Sequence, residues 1–261
     1  MIPALLHGKL SRDQENMEDV LTSSVFGLMR YLTPQSALLP WLARSESTES
    51  MSGGQSFPLR LLGELGTDVP IDVQYEFWPY KRGTMWSICE PDVVIRVKIS
   101  PTRKLIILIE AKYRSGKSSI ADCETEDGEY EVGQESEKAI EDQLAREWDN
   151  LVKVATSEGA EPHLIYLTAG FAASRNAIKS SIADYDVSNH KYETKVPRIY
   201  SLLWREVYEV IAFNSISTTG HETLIAHDLL ALMLRLKLTF FHGFREISPG
   251  NIPTIEWTFT R

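Results

Sequence analysis

The chain has 261 residues, 43% hydrophobic, 10% aromatic and 24% charged, with a formal net charge of −9. Apolar mass on this scale excludes disorder as the whole-chain answer. A membrane span is not expected either, because the most apolar late stretch, Leu229 to Phe244, is broken by Arg235 and Lys237. The opening residues hold an apolar run too short for a secretory leader, with no basic residue ahead of it. Two cysteines, Cys89 and Cys123, make neither a disulfide framework nor a metal knuckle, so a reducing cytoplasm is the expected compartment.

In chain order, Ser11-Arg12-Asp13-Gln14 is a capping box that opens a helix, and Met17, Leu21, Val25, Leu28 and Leu32 form its apolar stripe. Thr33-Pro34 ends it, and a shorter helical piece runs to about Leu42. Residues 45–56 predict a polar loop rich in Gly and Ser, and a strand is predicted around Ile71–Pro79. In Val93–Ile99 the alternation predicts a strand with one buried and one partly wet face, turned by Ser100-Pro101-Thr102-Arg103. Leu105–Ile109 is apolar at every position and predicts a central strand covered on both sides.

Further on, Ile140, Leu144, Trp148, Leu151 and Ala155 outline an amphipathic helix closed by Gly159. His163–Thr168 predicts a buried strand and Ser174–Tyr185 a helix. Ile199–Leu203 predicts a strand feeding a helix at Glu206–Phe213, with another helix at Glu222–Leu236 and an edge-like strand at Ile255–Thr260. No internal repeat, long linker or second core is evident. The expectation is a single domain over 1–261, α/β in class, with a mixed sheet flanked by helices.

The charge is concentrated in one place. Ala121 to Asp142 holds ten acids and one base, a local charge of −9 that leaves the rest of the chain neutral. A solvated acidic loop is the plain account; a cover that repels or mimics a polyanion is the sharper one. The net acidity argues against strong non-specific nucleic-acid binding without excluding a nucleic-acid partner.

The chemistry-bearing residues are Pro91-Asp92 at the start of one strand and Glu110-Ala111-Lys112 at the end of the next. Alternation puts Glu110 and Lys112 on one face and Ala111 on the other. Two carboxylates converging from neighbouring strands make a hard-oxygen site suited to Mg²⁺ or Mn²⁺. A lysine beside such an ion can orient water and offset charge on a phosphorane. Charges that continue a five-residue apolar run cost several kcal/mol unless paired or metal-bound.

On these residues the chain resembles the PD-(D/E)XK nuclease superfamily, with its restriction-endonuclease-like fold. The motif stands as Pro91-Asp92 with Glu110-Ala111-Lys112, and the order helix, three-stranded meander, helix, strand runs from Ser11 to Thr168. The resemblance implies an αβββαβ core over about 11–170, with a C-terminal helical extension over about 171–261. It implies a metal-dependent DNA endonuclease with Asp92, Glu110 and the Ala111 carbonyl as metal ligands and Lys112 as the catalytic lysine. It further implies an added acid from the first helix, Glu18 ahead of Glu15 and Asp19, and a helical glutamine, Gln143. The aromatic after that glutamine, Trp148, falls one place later than the family's tyrosine. Defence against foreign DNA is a frequent setting of the superfamily, repair another.

Two alternatives remain open at this point. One is a non-catalytic module of the same fold that binds nucleic acid or a protein, whether a second copy of the chain or another subunit. The other is nucleotide binding, since Ala111 to Ser118 fits a loose phosphate-binding loop; no helix signal follows it, however, and the dipole that would hold the phosphates is missing. Arg114 and Lys117 are better read as a basic lip touching a nucleic-acid backbone. Cys89 lacks a paired histidine for thiol chemistry, and His163 is read as structural.

Overall fold

An apolar run with no polar side must be covered twice, and Leu105–Ile109 sets the architecture on that ground. The computed structural model describes residues 17–47, 71–79, 86, 89–113, 142–187, 197–214 and 220–240. In chain order these form α1 (Met17–Met29), α2 (Leu38–Leu42), β1 (Glu46–Ser47), β2 (Asp72–Phe77), β3 (Val93–Lys98) and β4 (Lys104–Lys112). There follow α3 (Gln143–Glu158), β5 (Glu161–Thr168), α4 (Arg175–Val187), β6 (Ile199–Leu203), α5 (Trp204–Asn214) and α6 (His221–Arg235).

The fold is α/β, a six-stranded mixed sheet in the order β1-β6-β5-β4-β3-β2 with helices on both faces. β2, β3 and β4 form an antiparallel meander, while β5 and β6 run parallel to β4 and β1 caps the far edge antiparallel to β6. β4 is central, and Leu105 to Lys112 are all buried.

Each face has its own core. Ile95, Ile107, Ile109 and Ala111 pack with Leu21, Val25 and Phe26 of α1, Trp41 of α2, Val207 of α5 and Leu229 of α6. On the opposite face Val94, Ile106, Leu108 and Leu164 pack with Leu144, Trp148 and Leu151 of α3 and Ile178 of α4. Burying a side chain of this size contributes roughly 1.5–3 kcal/mol, and these two layers hold the sheet between them. Asp142 caps α3 by accepting the Ala145 amide at 3.2 Å, and Gly159 closes it in the left-handed region at φ 61°.

Three local expectations need correction. Within the expected loop at 45–56, Glu46 and Ser47 pair with Ser201 and Tyr200 as β1; a two-residue strand carries no periodicity and exists only through its partner. Val94, expected on the wet side of β3, is fully buried beneath α3, and Lys98 alone on that strand is exposed. The region after residue 170 is not purely a helical extension, because it adds β6 to the sheet. The capping box at Ser11, the acidic stretch up to Glu141 and the strand at Ile255–Thr260 lie outside the described residues. No helix among the described residues is long and apolar enough to cross a membrane.

Candidate functional site

The β3–β4 register runs Val93↔Ile109, Val94↔Leu108 and so on to Lys98↔Lys104. One step beyond its last pair, Asp92 falls opposite Glu110. Alternation from Val94 and Leu108, which both face α3, puts both carboxylates and Lys112 on the α3 side, while Ala111 packs into the other core. Asp92 is fixed at three points. Its carboxylate accepts the Ala111 amide at 2.8 Å, its carbonyl accepts the Trp78 amide at 3.1 Å, and the next residue enters β3. Trp78 adopts a left-handed φ of 44° to make that contact, a conformation that costs a non-glycine residue on the order of 1 kcal/mol.

Lys112 reaches Glu110 at 2.6 Å and Glu18 at 3.5 Å. Glu18 comes from the first turn of α1 on the far side of the sheet, and its other oxygen accepts the Tyr113 amide at 2.8 Å. From above, the Gln143 side-chain amide donates to Glu110 at 2.6 Å and to Glu147 at 3.0 Å. Asp92, Glu110, Lys112, Glu18 and Gln143 are therefore brought together at one sheet end. Arg114 and Lys117 lie outside the described residues. Asp19 is buried in α1.

Glu147 was not anticipated. It is 1% exposed, one turn along α3 from Gln143, and its Oε2 has no hydrogen-bond partner among the described residues. A signal for it did exist: Glu147 falls inside the stripe of Leu144, Trp148 and Leu151 that α3 turns to the sheet, where an acid has no solvent to reach. It stands four residues after Gln143, the place of the tyrosine in the family that the motif resembles.

Four acids thus share one ammonium. Burial, and then Glu110, push the Asp92 carboxyl well above its ordinary range, against the Ala111 amide and Lys112. Glu110, 2% exposed, is raised by burial and then by Glu147. Burial raises Glu147 to about 7. Burial would lower Lys112, yet Glu110, Glu18 and Asp92 outweigh it and hold the lysine above its ordinary value. The cluster is acid in excess, with Glu110, Lys112 and Glu147 buried and Asp92, Glu18 and Gln143 partly open, and it is set at the positive N-terminal end of α3.

The donor set is all oxygen and fits a hard divalent cation. Among the described residues no three His, Cys, Asp or Glu side chains are grouped as a ready-made metal cage. A Mg²⁺ ion that keeps several waters and takes one or two carboxylates does not require one. Two other polar groups do not join the cluster. Burial, and then Glu147, push the Cys89 thiol up to about 12, and Asn150 donates to it at 3.4 Å. His163, lowered to about 3 by burial, contacts the Tyr200 hydroxyl at 3.2 Å inside the sheet.

The chain matches no protein-family model, and neither a curated protein nor a solved structure is significantly similar to it. The site must be read from its own geometry.

Proposed function

We propose that the protein is a divalent-metal-dependent nuclease of the restriction-endonuclease-like fold, acting on DNA, with Asp92 and Glu110 as metal ligands. The observation that carries the reading is the surplus of negative charge at this sheet end: buried Glu110 and half-buried Asp92, opposite each other on adjoining strands, both favour protonation unless a cation joins Lys112 among them. Mg²⁺ or Mn²⁺ bound there supplies neutralisation of the phosphate and acidifies water.

This chain's residues do the rest. Asp92 and Glu110 hold their oxygens in place through the Ala111 amide and the Gln143 amide. The Ala111 carbonyl and Glu18 are the further oxygens of the proposed ligand set. Lys112 orients the attacking water and offsets charge as the phosphate becomes five-coordinate, Glu18 steadying its ammonium from the far side. Attack in line with the 3′-oxygen leaves a 5′-phosphate and a 3′-hydroxyl, as the resemblance implies.

The test is incubation of the purified protein with single- and double-stranded DNA and RNA in Mg²⁺ or Mn²⁺. Cleavage is expected to stop in Lys112→Ala, Asp92→Asn and EDTA; cleavage that persists in any of the three refutes the assignment. The second reading, a non-catalytic binding module, draws on Lys112 already engaging Glu110 at 2.6 Å. It predicts oligonucleotide or protein binding without any stabilisation by divalent ions.

A further inference from the structure

The chain leaves β5 at Thr168 and turns through Ala169, Gly170 and Phe171 before α4. Thr168 pairs with Lys112, so this turn departs from the sheet one strand, about 5 Å, from the lysine. Phe171 is 78% exposed. A lone exposed aromatic needs no explanation in general. What stands beneath this one does.

The Arg205 guanidinium lies 3.9 Å from the centroid of the Phe171 ring. It donates to the carbonyls of Gly170 at 3.2 Å, Ala169 at 3.5 Å, Lys237 at 3.0 Å and Thr239 at 2.6 Å. Arg205 is 7% exposed, and among the described residues its hydrogen-bond partners are neutral carbonyls, with no carboxylate to balance it. Its neighbour Trp204 donates its indole N–H to the Lys112 carbonyl at 3.3 Å. Ring, cation and Lys112 are therefore held on one mount.

A buried guanidinium that meets only neutral carbonyls among the described residues favours an anion nearby. A ring backed by a cation and open to solvent favours a flat partner. A nucleotide supplies both. We propose that Phe171 is a stacking platform for an unstacked base of a nucleic-acid strand, with the Arg205 charge drawing the adjoining phosphate. This rests on the nuclease reading and gives its substrate class: a single strand or a locally opened one, since a base inside a duplex has no free face.

The experiment is fluorescence anisotropy of the full chain with a fluorescein-labelled single-stranded oligonucleotide and the matching duplex, Ca²⁺ replacing Mg²⁺, with Mg²⁺ cleavage assayed in parallel. Phe171→Ala weakens single-strand binding about tenfold, Phe171→Leu weakens it equally, and Phe171→Trp retains it. The slope of affinity on salt stays unchanged, because no phosphate contact is removed. Unchanged affinity in Phe171→Ala, or full affinity in Phe171→Leu, overturns the platform while leaving a cleaving parent chain a nuclease. A parent that binds without cleaving removes the nuclease reading, and the same variants still decide the platform. A parent that neither binds nor cleaves removes both.

Discussion

Asp92 and Arg96 stand on the same face of β3, four residues apart, under the two ends of the same helix. At the Arg96 end the charges balance, Arg96, Lys98 and Lys104 standing against Asp72, Glu76 and Glu158. Its guanidinium holds Glu158 of α3 at 3.0 Å and Glu76 of β2 at 2.7 Å, all three partly open to water. At the Asp92 end, four carboxylates crowd one lysine, and Glu110, Lys112 and Glu147 are buried. One sheet and one helix thus carry an ion network that satisfies itself and another that does not. The first is what a rim needs for stability. The second has a use only if something else arrives. The cavity of 290 Å³ lined by Asp72, Arg96, Lys98, Lys104 and Glu158 belongs to the balanced end, where the arginine in its wall is already paired.

The contrast breaks most sharply in activity. Lys112→Ala and Asp92→Asn are expected to lower cleavage by on the order of 10³-fold, the scale of losing one donor or ligand at a phosphoryl centre. Arg96→Met should leave turnover within about twofold. Equal losses at both ends in a cleavage time course would mean that the two networks do not differ in kind.

The acid surplus also has a pH signature in metal-free protein. An unfolded glutamate releases its proton near 4.5, whereas buried Glu147 keeps its own to about 7. Between these values the folded state binds more protons, so stability falls as pH rises and the penalty is complete above about 7. The shift corresponds to roughly 3 kcal/mol. Glu147→Gln should therefore flatten the decline and be the more stable protein at pH 8 in urea titrations at pH 4.5 and 8. A parent curve that is flat across this window sinks the claim.

Adding metal should reverse the same penalty. Mg²⁺ at a hundredfold excess over its Kd is expected to stabilise the chain by about 2.7 kcal/mol. The effect should vanish in Asp92→Asn and persist in Arg96→Met. Thermal melts with Mg²⁺ and with EDTA read it without any substrate.

How much of this was legible depended on how local the signal was. The central place of β4 follows from Leu105–Ile109 alone, and the end of α3 follows from Gly159; a stripe counted from Ile140 starts that helix too early, because Asp142 caps it from an extended backbone. The convergence of Asp92 with Glu110 was legible because a short turn ties the register of two adjacent strands. Gln143 was legible only through the family resemblance, since its contact with Glu110 spans 33 positions. Glu147 was missed because an acid on an amphipathic helix is ordinarily a solvent-facing residue, and only the packing of Leu144 and Trp148 shows that this one is not. β1 was missed because two residues have no period of their own. Nothing in the sequence ties Arg205 to Phe171; that pairing exists because the turn after β5 and the start of α5 meet beyond the sheet end.

The smallest effect tests the balanced end by itself. Both oxygens of Glu158 accept from Arg96, at 3.0 and 3.2 Å from Nε, and Glu76 takes Nη1 at 2.7 Å. These contacts, led by that with Glu158, raise the guanidinium further above its ordinary value. The three side chains are nevertheless 27%, 36% and 40% exposed, so water and salt screen most of the attraction. Arg96→Met keeps the aliphatic stem over the sheet and removes the charge with its hydrogen bonds, and should cost about 1 kcal/mol at low salt and less at 1 M NaCl. A loss of several kcal/mol that salt does not reduce would place a buried, tightly coupled network at this end too. The distinction between the two ends of β3 would then rest on net charge alone and no longer on exposure.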